Sequence, residues 1–425
     1  MRPSVSVIVA NRGRAWSLVQ TLSALKRQRE VSAEIIVVSD APAPRDLTVK
    51  WLRQDAANIA TARNAGIRAS SGEIIAFCDD DAVPEPDWLL NLIDAFDAPD
   101  IGAVGGPVLG PDGVREQWGE MRFDEAGRDT PTGTFLKLNG TNLALRRRAI
   151  TAIGGFDQRF AYYLDETDML ARLAKAGWMT TWIANARVHH ATRPNTTRGA
   201  GTTLAGFEQL GRSVAAFVRT HAPQQQEDGS YVIADQRVRL RRLFNLGILS
   251  AQGFEARLRA IKVGLSAQTP QQIDTDLPQD FRAADPRQIA PLRVAIAPRI
   301  LSRSAARQLA RELSLRGVEV TLITQTWLNR PMRVKFHTEG YFDHRGGVFR
   351  AKNMAPNWRA MLMQELVRIH PQRQFTHLVL GKRRGGAVIT DLRNRTDGVI
   401  LPHMRDKNWR SVLFEAESAL DALQH

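Results

Sequence analysis

Cysteine is almost absent from this sequence: Cys78 is the only one in 425 residues. A single cysteine excludes an internal disulfide and a cysteine-based zinc site, and it fits a reducing compartment such as the cytoplasm. Long apolar runs are also absent, because no stretch approaches the roughly 18 uncharged apolar residues of a membrane span. Met1-Arg2-Pro3 leads directly into a strand-like run, so we expect no signal peptide.

Acidic residues are in deficit, with 44 Asp and Glu against 58 Lys and Arg, which gives a net charge of +14. Such an excess favours an anionic partner: a membrane surface, a nucleotide-bearing ligand or nucleic acid. No nucleic-acid recognition motif accompanies the charge, so we expect no nucleic-acid partner. The remaining composition, 43% hydrophobic and 24% charged, is ordinary for a globular protein. The length favours two or three domains.

Strand-like and helix-like segments alternate at the start of the chain. The predicted strands and helices are, in order, 4–10, 16–28, 34–38, 58–69 and 73–78. Such alternation predicts a mostly parallel sheet with helices on both faces, which binds ligands beyond the carboxyl ends of its strands. Asn11, Asp40 and the triplet Asp79-Asp80-Asp81 follow three of these strands.

The acidic triplet allows two interpretations. Three adjacent carboxylates repel one another, and either solvent or a hard divalent cation with oxygen ligands relieves the repulsion. The triplet by itself therefore fits a solvated acidic turn as well as a metal site. Pro84 and Pro86 predict that neither strand nor helix continues directly after it.

Four segments, taken in order, resemble the family 2 glycosyltransferases, nucleotide-sugar enzymes of the GT-A fold. Residues 79–84, Asp-Asp-Asp-Ala-Val-Pro, are similar to the family's aspartate-any-aspartate motif. Residues 140–147 resemble its acceptor-side loop and strand, and residues 154–169 the segment that holds the catalytic base. Residues 187–190, Arg-Val-His-His, resemble the end of the catalytic domain, so the resemblance covers about residues 3 to 200.

The resemblance implies a metal site and a catalytic base. Asp81 is expected to bind Mn²⁺ or Mg²⁺ directly, Asp79 to contact the metal or the ribose, and His190 to add a further metal or phosphate contact. The family's usual Glu-Asp pair reads Asp165-Glu166 here. Glu166 is therefore the expected base and Asp165 the second candidate.

The resemblance also implies a nucleotide site. Asp40 corresponds to the aspartate that recognises the nucleotide base, and Arg63-Asn64 to a pair that faces the nucleotide; Asn11 completes this expected set. Three further residues have two interpretations each. Asp168 fits a charge favoured by the start of a helix better than a catalytic role, whereas Trp88 and Trp118 fit either the core or an acceptor-sugar contact.

The second half of the chain is organised differently. Residues 237–262 predict a basic amphipathic helical stretch, which either packs on its own domain or lies on an anionic membrane surface. Residues 266–291 are typical of a linker, and residues 292–425 weakly resemble a Rossmann-type, GT-B-like half domain. This half domain lacks the glycine-rich dinucleotide turn. The basic loop 381–386 fits a solvated turn or a phosphate site, and 399–401 a further strand.

We therefore predict an α/β protein with a GT-A domain and helical extension at 1–265, a linker at 266–291 and a smaller α/β domain at 292–425. The resemblance implies a metal-dependent, inverting glycosyltransferase that takes a UDP-, dTDP- or GDP-sugar donor and a glycan or lipid-linked acceptor. The expected location is cytoplasmic, with peripheral contact to the cytoplasmic face of the membrane as an addition. The alternatives are a non-catalytic nucleotide-sugar-binding or scaffolding protein of this fold, and a related nucleotidyltransferase.

Overall fold

The structure is a computed structural model. It describes residues 2–13, 15–43, 49–55, 57–110, 115–190, 204–224, 228–268, 277, 293–298, 303–326, 333–337, 339–347, 362, 366, 369, 375–381 and 387–391. The predicted strand at 399–401 and most of the basic loop at 381–386 lie outside these residues.

The first part of the chain alternates strands and helices. Its elements are β1 (Val5–Asn11), α1 (Ala15–Lys26), β2 (Ala33–Ser39), β3 (Lys50–Arg53), α2 (Ile59–Ala69), β4 (Ile74–Phe77), β5 (Ala82–Pro84), α3 (Trp88–Asp94), β6 (Ile101–Gly105), β7 (Val108–Leu109), β8 (Glu116–Trp118), β9 (Met121–Phe123), β10 (Phe135–Lys137), β11 (Leu143–Arg146), α4 (Arg147–Ala152), α5 (Asp165–Lys175), β12 (Met179–Trp182) and β13 (Val188–His190).

These elements form the predicted α/β core. The main sheet has the order β12-β6-β11-β4-β1-β2-β3. All its pairings are parallel except those of β11, which runs antiparallel to both β4 and β6. Ser39 pairs with Asn11 at the carboxyl ends of β2 and β1, so the segments that follow these strands leave the sheet at the same edge.

Apolar side chains on the two faces of the main sheet pack under different helices. On one face, Leu22 of α1 and Leu92 of α3 pack in a cluster with Val7 of β1. On the other face, helices α2, α4 and α5 cover a cluster that includes Ile8 and Phe77. The central strands are therefore buried on both sides, as their nearly continuous apolar sequences predict.

A second sheet lies beside the main one and has the order β5-β13-β7-β8. Its first strand, β5, corrects the prediction that no strand follows the acidic triplet. Pro84 is the last residue of β5, which is an edge strand, and an edge position tolerates proline because no neighbour needs its missing N–H on that side.

Three helices follow the first part: α6 (Leu204–His221), α7 (Tyr231–Asn245) and α8 (Ala251–Ser266). The sequence predicts one basic helical stretch over 237–262, and the structure has two helices there, because a turn at residues 246–250 separates α7 from α8. Gly247 adopts a φ of 69° in this turn, a backbone conformation that glycine adopts without strain. Leu277, within the predicted linker, is buried in the same cluster as Phe156.

The last part of the chain forms a separate six-stranded sheet with the order β16-β17-β15-β14-β18-β19. Its elements are β14 (Arg293–Ala297), α9 (Arg303–Leu315), β15 (Glu319–Thr326), β16 (Arg333–Phe336), β17 (Tyr341–Gly347), β18 (His377–Gly381) and β19 (Ala387–Asp391). The inner strands are parallel and the two edge strands antiparallel, so this region is α/β as predicted. The exact domain boundaries stay a prediction.

The two α/β parts contact each other through α1 and α9. Arg27, at the end of α1, is fully buried and donates to the carbonyl of Ser314, the residue before the last of α9. Burial lowers the pKa of Arg27 to about 10, and the nearby Glu319 carboxylate limits the fall. Phe336 and Phe342 extend the contact as they pack with Ala24 and Val83.

Candidate active site

Strand pairing brings together two predicted metal ligands that are 109 residues apart. Strand β13 runs antiparallel to β5, and His190 pairs with Ala82. Because Asp81 directly precedes Ala82, the pairing places the imidazole of His190 beside the second aspartate of the motif. His190 Nε2 lies 3.1 Å from Asp81 Oδ1.

Asp79 completes this group. Its Oδ2 lies 3.9 Å from His190 Nε2, and one ligand atom from each of Asp79, Asp81 and His190 falls within 4.8 Å of the others. Asp81 and His190 are buried, whereas the side chain of Asp79 is 35% exposed and faces the open edge of the sheet. Two carboxylates and an imidazole form a donor set that suits Mn²⁺ well and accepts Mg²⁺, so the residues fit the predicted cation.

Three hydrogen bonds, two to the backbone and one to a side chain, hold the loop that carries the triplet. The Asp79 N–H donates to Thr141 Oγ1 at 3.0 Å, and Thr21 Oγ1 donates to the carbonyl of Ala82 at 2.7 Å. Asp80 points away from Asp81 into the protein, where its carboxylate accepts from Asn11 Nδ2 at 2.6 Å. The triplet is therefore divided: Asp79 and Asp81 face the candidate metal position, and Asp80 anchors the loop.

Asn11 has a contact on each side of its amide. In addition to its contact with Asp80, its Oδ1 accepts from Ser39 Oγ at 2.9 Å, and the side chain is buried. These bonds tie the ends of β1 and β2 to the acidic loop. The geometry favours a positioning role for Asn11 over direct nucleotide contact.

Arg63 joins the triplet to the segment with the expected base. Its guanidinium is buried, forms an ion pair with Asp165, donates to the carbonyl of Gly140 at 3.2 Å and lies 4.0 Å from Asp79 Oδ1. Phe77 and Phe156 flank the guanidinium, with its central carbon 5.8 and 5.3 Å from their ring centroids. Gly140 cannot be replaced without displacing Arg63, since a Cβ there would lie 2.3 Å from a guanidinium nitrogen.

Asp165 and Glu166 lie in different surroundings although they are adjacent. Asp165 is buried, and burial raises its pKa well above the ordinary value, with Arg63 opposing the rise and Glu166 adding to it. Glu166 is only half-buried in the first turn of α5. Of the two carboxylates, Glu166 is therefore the more exposed.

The backbone that enters α5 is strained. Tyr163 and Leu164 have φ values of 70° and 61°, a left-handed conformation that costs a non-glycine residue about 1–3 kcal/mol. Two such residues occur directly before Asp165, and no glycine in the sequence signals this turn. Strain of this kind is common where a fold fixes a functional side chain.

Asn64, the second residue of the predicted Arg-Asn pair, has a different place from Arg63. It is fully buried, donates from Nδ2 to the carbonyl of Phe156 at 2.7 Å and accepts at Oδ1 from the Phe156 N–H at 2.9 Å. Both ends of its amide are engaged by one backbone segment. The geometry therefore favours a role in fixing the Gly155-Phe156 turn over contact with a nucleotide.

Asp40 follows β2 at the same sheet edge and remains partly exposed. Its Oδ1 accepts from the backbone N–H of Gly13 at 3.2 Å, and its Oδ2 lies 3.9 Å from Arg12 Nε. Asp40 therefore borders the loop after β1, which is where the sequence predicts contact with the nucleotide base.

Sequence reasoning missed the network that holds α5. Asp168 is fully buried and accepts from Arg172 Nε at 2.8 Å and from His221 Nε2 of α6 at 2.8 Å. Although burial raises the pKa of Asp168, Arg172 and His221 outweigh it and keep the pKa below its ordinary value. The sequence offered one clue, because Asp168 and Arg172 are spaced as a helical i,i+4 ion pair.

The two tryptophans for which the sequence allows either a core position or an acceptor-sugar contact differ in burial. Trp88 is fully buried and donates from Nε1 to Asn142 Oδ1 at 2.8 Å, so it is a core residue. Trp118 is partly exposed, and its ring centroid lies 5.7 Å from that of His190. Trp118 alone of this pair borders the candidate metal group.

The first part of the chain is similar to known proteins. The model of the glycosyl transferase family 2 matches residues 4–154. The chain is 27% identical over 223 residues to the O-antigen biosynthesis protein RfbC of Myxococcus xanthus, which covers 44% of this chain and 17% of the relative. It is 35% identical over 106 residues to the N-acetylglucosaminyl-diphospho-decaprenol L-rhamnosyltransferase of Mycobacterium tuberculosis, which covers 24% of this chain and 33% of that protein.

A further relative is the glucosyl-dolichyl phosphate glucuronosyltransferase of Haloferax volcanii, 27% identical over 177 residues, with 37% of this chain and 56% of the relative covered. The chain thus spans less than two thirds of the length of these three curated relatives. Among solved structures, the mannosyltransferase PcManGT from Pyrobaculum calidifontis, in complex with GDP-Man and Mn²⁺, has 19% identity and a TM-score of 0.39. That alignment covers 62% of this chain and 87% of the other.

The family match extends over the acidic triplet, Arg63 and the acceptor-side strand, and it ends just before Gly155. The predicted family and the predicted α/β fold class are both confirmed by it. Residues 4–154 therefore carry a glycosyl transferase family 2 domain.

Proposed function

We propose that this protein is a glycosyltransferase that moves a sugar from a nucleoside-diphosphate donor to a hydroxyl group of a glycan or lipid-linked acceptor. The observation that carries the proposal is the group of Asp79, Asp81 and His190, whose ligand atoms lie within 4.8 Å of one another at the edge of a family 2 domain. Sugar transfer must stabilise a departing diphosphate, and this group suits a cation that offsets its charge.

Asp79, Asp81 and His190 would hold Mn²⁺ or Mg²⁺, and the cation would supply charge stabilisation for the diphosphate. The remaining roles in binding and positioning belong to side chains of the protein. Arg63 fixes the positions of Asp79 and Asp165 relative to each other through its buried guanidinium. Asp40 remains the candidate for recognition of a uridine, thymidine or guanosine base.

Glu166 is the proposed general base. It is half-buried at the start of α5, and its neighbour Asp165 is engaged by Arg63. A carboxylate near the acceptor hydroxyl accepts the proton as the oxygen attacks the anomeric carbon. Attack on the face opposite the leaving diphosphate inverts the anomeric configuration, so we propose an inverting reaction.

The acceptor is proposed from the chemistry that relatives share. The names of two of them specify lipid-linked substrates, one built on decaprenol and one on dolichyl phosphate. Within the described residues, none of the helices is long and apolar enough to span a membrane. A cytoplasmic location stays a prediction, and a lipid-linked acceptor would require contact with a membrane surface.

A thermal-shift screen tests the proposal. The full chain is heated with UDP, dTDP or GDP, each with and without Mn²⁺ or Mg²⁺. A ligand at about 100 times its dissociation constant stabilises a protein by about 2.7 kcal/mol, so specific binding raises the melting temperature by several degrees. We expect one nucleotide to stabilise the chain only when metal is present. If none of them does so, the proposal is wrong.

A further inference from the structure

The hairpin formed by α7 and α8 has one buried and one exposed side. Its buried side, which includes Leu240 and Leu258, packs with Phe207 of α6 in a shared apolar cluster. Helices α6 and α8 approach so closely that a Cβ on Gly264 would lie 2.1 Å from the carbonyl oxygen of Glu208. The hairpin is therefore a packed part of the protein and not a loose appendage.

Large apolar side chains are exposed on the other side of this hairpin. Leu246 and Ile248, on either side of Gly247 in the turn, are each 63% exposed, and Val238 on α7 is 76% exposed. Phe244, at the end of α7, is 40% exposed. Phe244, Leu246 and Ile248 therefore form an apolar tip at this turn that nothing in the described structure covers, and Val238 lies about two helical turns away on α7.

Basic side chains are exposed along both helices of the hairpin. The exposed basic residues of the hairpin are Arg237, Arg239, Arg241, Arg242, Arg259 and Lys262. The acidic residues of the same segment, 235–262, are only Asp235 and Glu255. Among the described residues, the arginines of α7 form no ion pair, and the guanidinium carbon of Arg241 lies 5.6 Å from the ring centroid of Phe254.

We infer that the α7–α8 hairpin docks this protein on a membrane surface that contains anionic lipids. An apolar tip on helices with exposed basic side chains suits the boundary of a bilayer, because the aliphatic side chains enter the acyl region while the basic groups contact lipid phosphates. A nucleic acid would satisfy the arginines but would leave Leu246 and Ile248 without an apolar partner. The anionic bilayer is the partner that accounts for both sets of residues.

The hairpin is connected to the catalytic side of the protein. Tyr231 at the start of α7 donates to the carbonyl of Ala126 at 3.0 Å, and α6 bonds to the helix of the proposed base through His221 and Asp168. Docking through the tip would therefore hold α5 in a fixed relation to the membrane surface. The inference itself concerns binding only and does not depend on the transferase activity.

Vesicle flotation with the full chain tests this inference. The probes are vesicles of phosphatidylcholine alone and vesicles of phosphatidylcholine mixed with phosphatidylglycerol, used without nucleotide or metal. We expect binding to the mixed vesicles only, and weaker binding at high salt because salt screens charges. Each basic residue near an anionic surface contributes about fivefold in affinity, so Arg237→Gln with Arg241→Gln should weaken binding by roughly 30-fold.

A second variant separates insertion from charge. Leu246→Ser with Ile248→Ser keeps every charge and changes two exposed side chains, so the fold should persist while vesicle binding falls at least tenfold. The matched control is Arg307→Gln with Arg311→Gln on α9, which removes two exposed arginines at the same i,i+4 spacing and should leave binding unchanged.

Three results would overturn the inference. The first is equal binding to neutral and anionic vesicles, or to neither. The second is an equal loss from the α7 and α9 arginine pairs, which would indicate a general charge effect. The third is a dimer in gel filtration that the Leu246→Ser, Ile248→Ser variant converts to a monomer, because a second copy of the chain would then cover the tip.

Discussion

The imidazole of His189 stacks on the ring of Phe336, with ring centroids 4.1 Å apart and an angle of 30° between the planes. His189 lies in β13 beside His190, and Phe336 belongs to β16 of the last sheet. His189 Nε2 also contacts Glu85 Oε1 at 2.9 Å. The last α/β part of the chain therefore packs directly behind the strand that carries a candidate metal ligand.

Phe336→Ala should weaken metal binding although Phe336 touches no ligand. Loss of the ring leaves space behind His189 and lets β13 shift, and disturbed support of a metal ligand typically costs about 10–100-fold in metal affinity. Isothermal titration with Mn²⁺ measures the change. Val334→Ala on the same strand is the control, because that side chain is 47% exposed and should leave affinity unchanged. Unchanged affinity in Phe336→Ala would refute this coupling.

The ion pair of Arg29 and Glu319 should contribute strongly to the contact between the two α/β parts. Both side chains are buried, and Arg29 also lies 3.2 Å from Asp87. Glu319→Gln removes the buried counter-charge of this guanidinium, and breaking a buried pair costs about 3–5 kcal/mol in the free energy of unfolding. Urea unfolding measures this loss.

The control for this pair is Glu312→Gln on α9, whose side chain accepts from Nε2 of the exposed Gln308 at 2.9 Å. A substitution at such a site changes stability by less than about 0.5 kcal/mol. The double variant Arg29→Met, Glu319→Leu should recover much of the loss, because it removes both charges. Equal stability of Glu319→Gln and the unmodified protein would show that the pair contributes little.

Asp81→Asn and His190→Gln should reduce the metal-dependent stabilisation by a nucleotide. Asp81 supplies the buried carboxylate of the candidate group, so its loss should abolish the effect of Mn²⁺ in the thermal-shift screen. Loss of His190 should weaken the effect but retain part of it, because two carboxylates remain. Asp55→Asn, at a 74% exposed side chain, is the control. A full Mn²⁺ response in Asp81→Asn would place the metal elsewhere.

Glu166→Gln should reduce activity without reducing stability, whereas Asp165→Asn should reduce stability. Removal of a general base typically costs 10²–10⁴-fold in rate, so Glu166→Gln should lose transfer while its melting temperature and nucleotide binding persist. Asp165→Asn leaves Arg63 without its buried counter-charge and should lower the free energy of unfolding by about 3 kcal/mol or more. Full transfer by Glu166→Gln would instead make Asp165 the candidate base.

Asp168 should contribute stability that depends on pH. Its pKa is held below the ordinary value, so its contribution is complete above the unfolded-state value of about 3.9 and is lost as the pH falls through the folded-state value. Asp168→Asn should therefore lower the free energy of unfolding by about 3–5 kcal/mol at pH 7. The difference from the unmodified protein should shrink below about pH 4.

Urea unfolding over this pH range measures the Asp168 effect. Asp94→Asn is the control, because Asp94 is 56% exposed and its ion pair with Arg2 lies at the surface. A difference between Asp168→Asn and the unmodified protein that stays constant from pH 7 to pH 3 would contradict the role of ionised Asp168.

Much of the fold could be predicted from local pattern. The predicted strands at 4–10 and 34–38 agree with β1 and β2 to within a residue at each end, because buried parallel strands are continuous apolar runs. The helix at 58–69 was also predicted, and Asn58 caps it by accepting from the Thr61 N–H at 3.0 Å. The break between α7 and α8 was missed, since one glycine in a helical pattern is a weak stop signal.

Some features of the candidate site could likewise be predicted from the sequence, and others could not. The sequence places Asp79 and Asp81 at the end of a buried strand, but Pro84 argues against the strand β5 that positions His190. The sequence also paired Arg63 with Asn64 as nucleotide contacts, and the structure separates them: one guanidinium lies beside Asp79, and the other side chain is bonded to the backbone of Phe156. Neighbours on a helix point about 100° apart, so adjacency in sequence did not imply a shared target.

The α/β core, the edge of the sheet where polar residues collect and the carboxylates available there follow from local sequence, because strand and helix periods and turn residues act over a few neighbours. Which of those groups meet depends on how distant segments pack. The pairing of β13 with β5 places His190 beside Asp81, and Arg63 forms a buried ion pair with Asp165. These contacts depend on strand register and on burial between segments about 100 residues apart, and a local sequence pattern does not encode them.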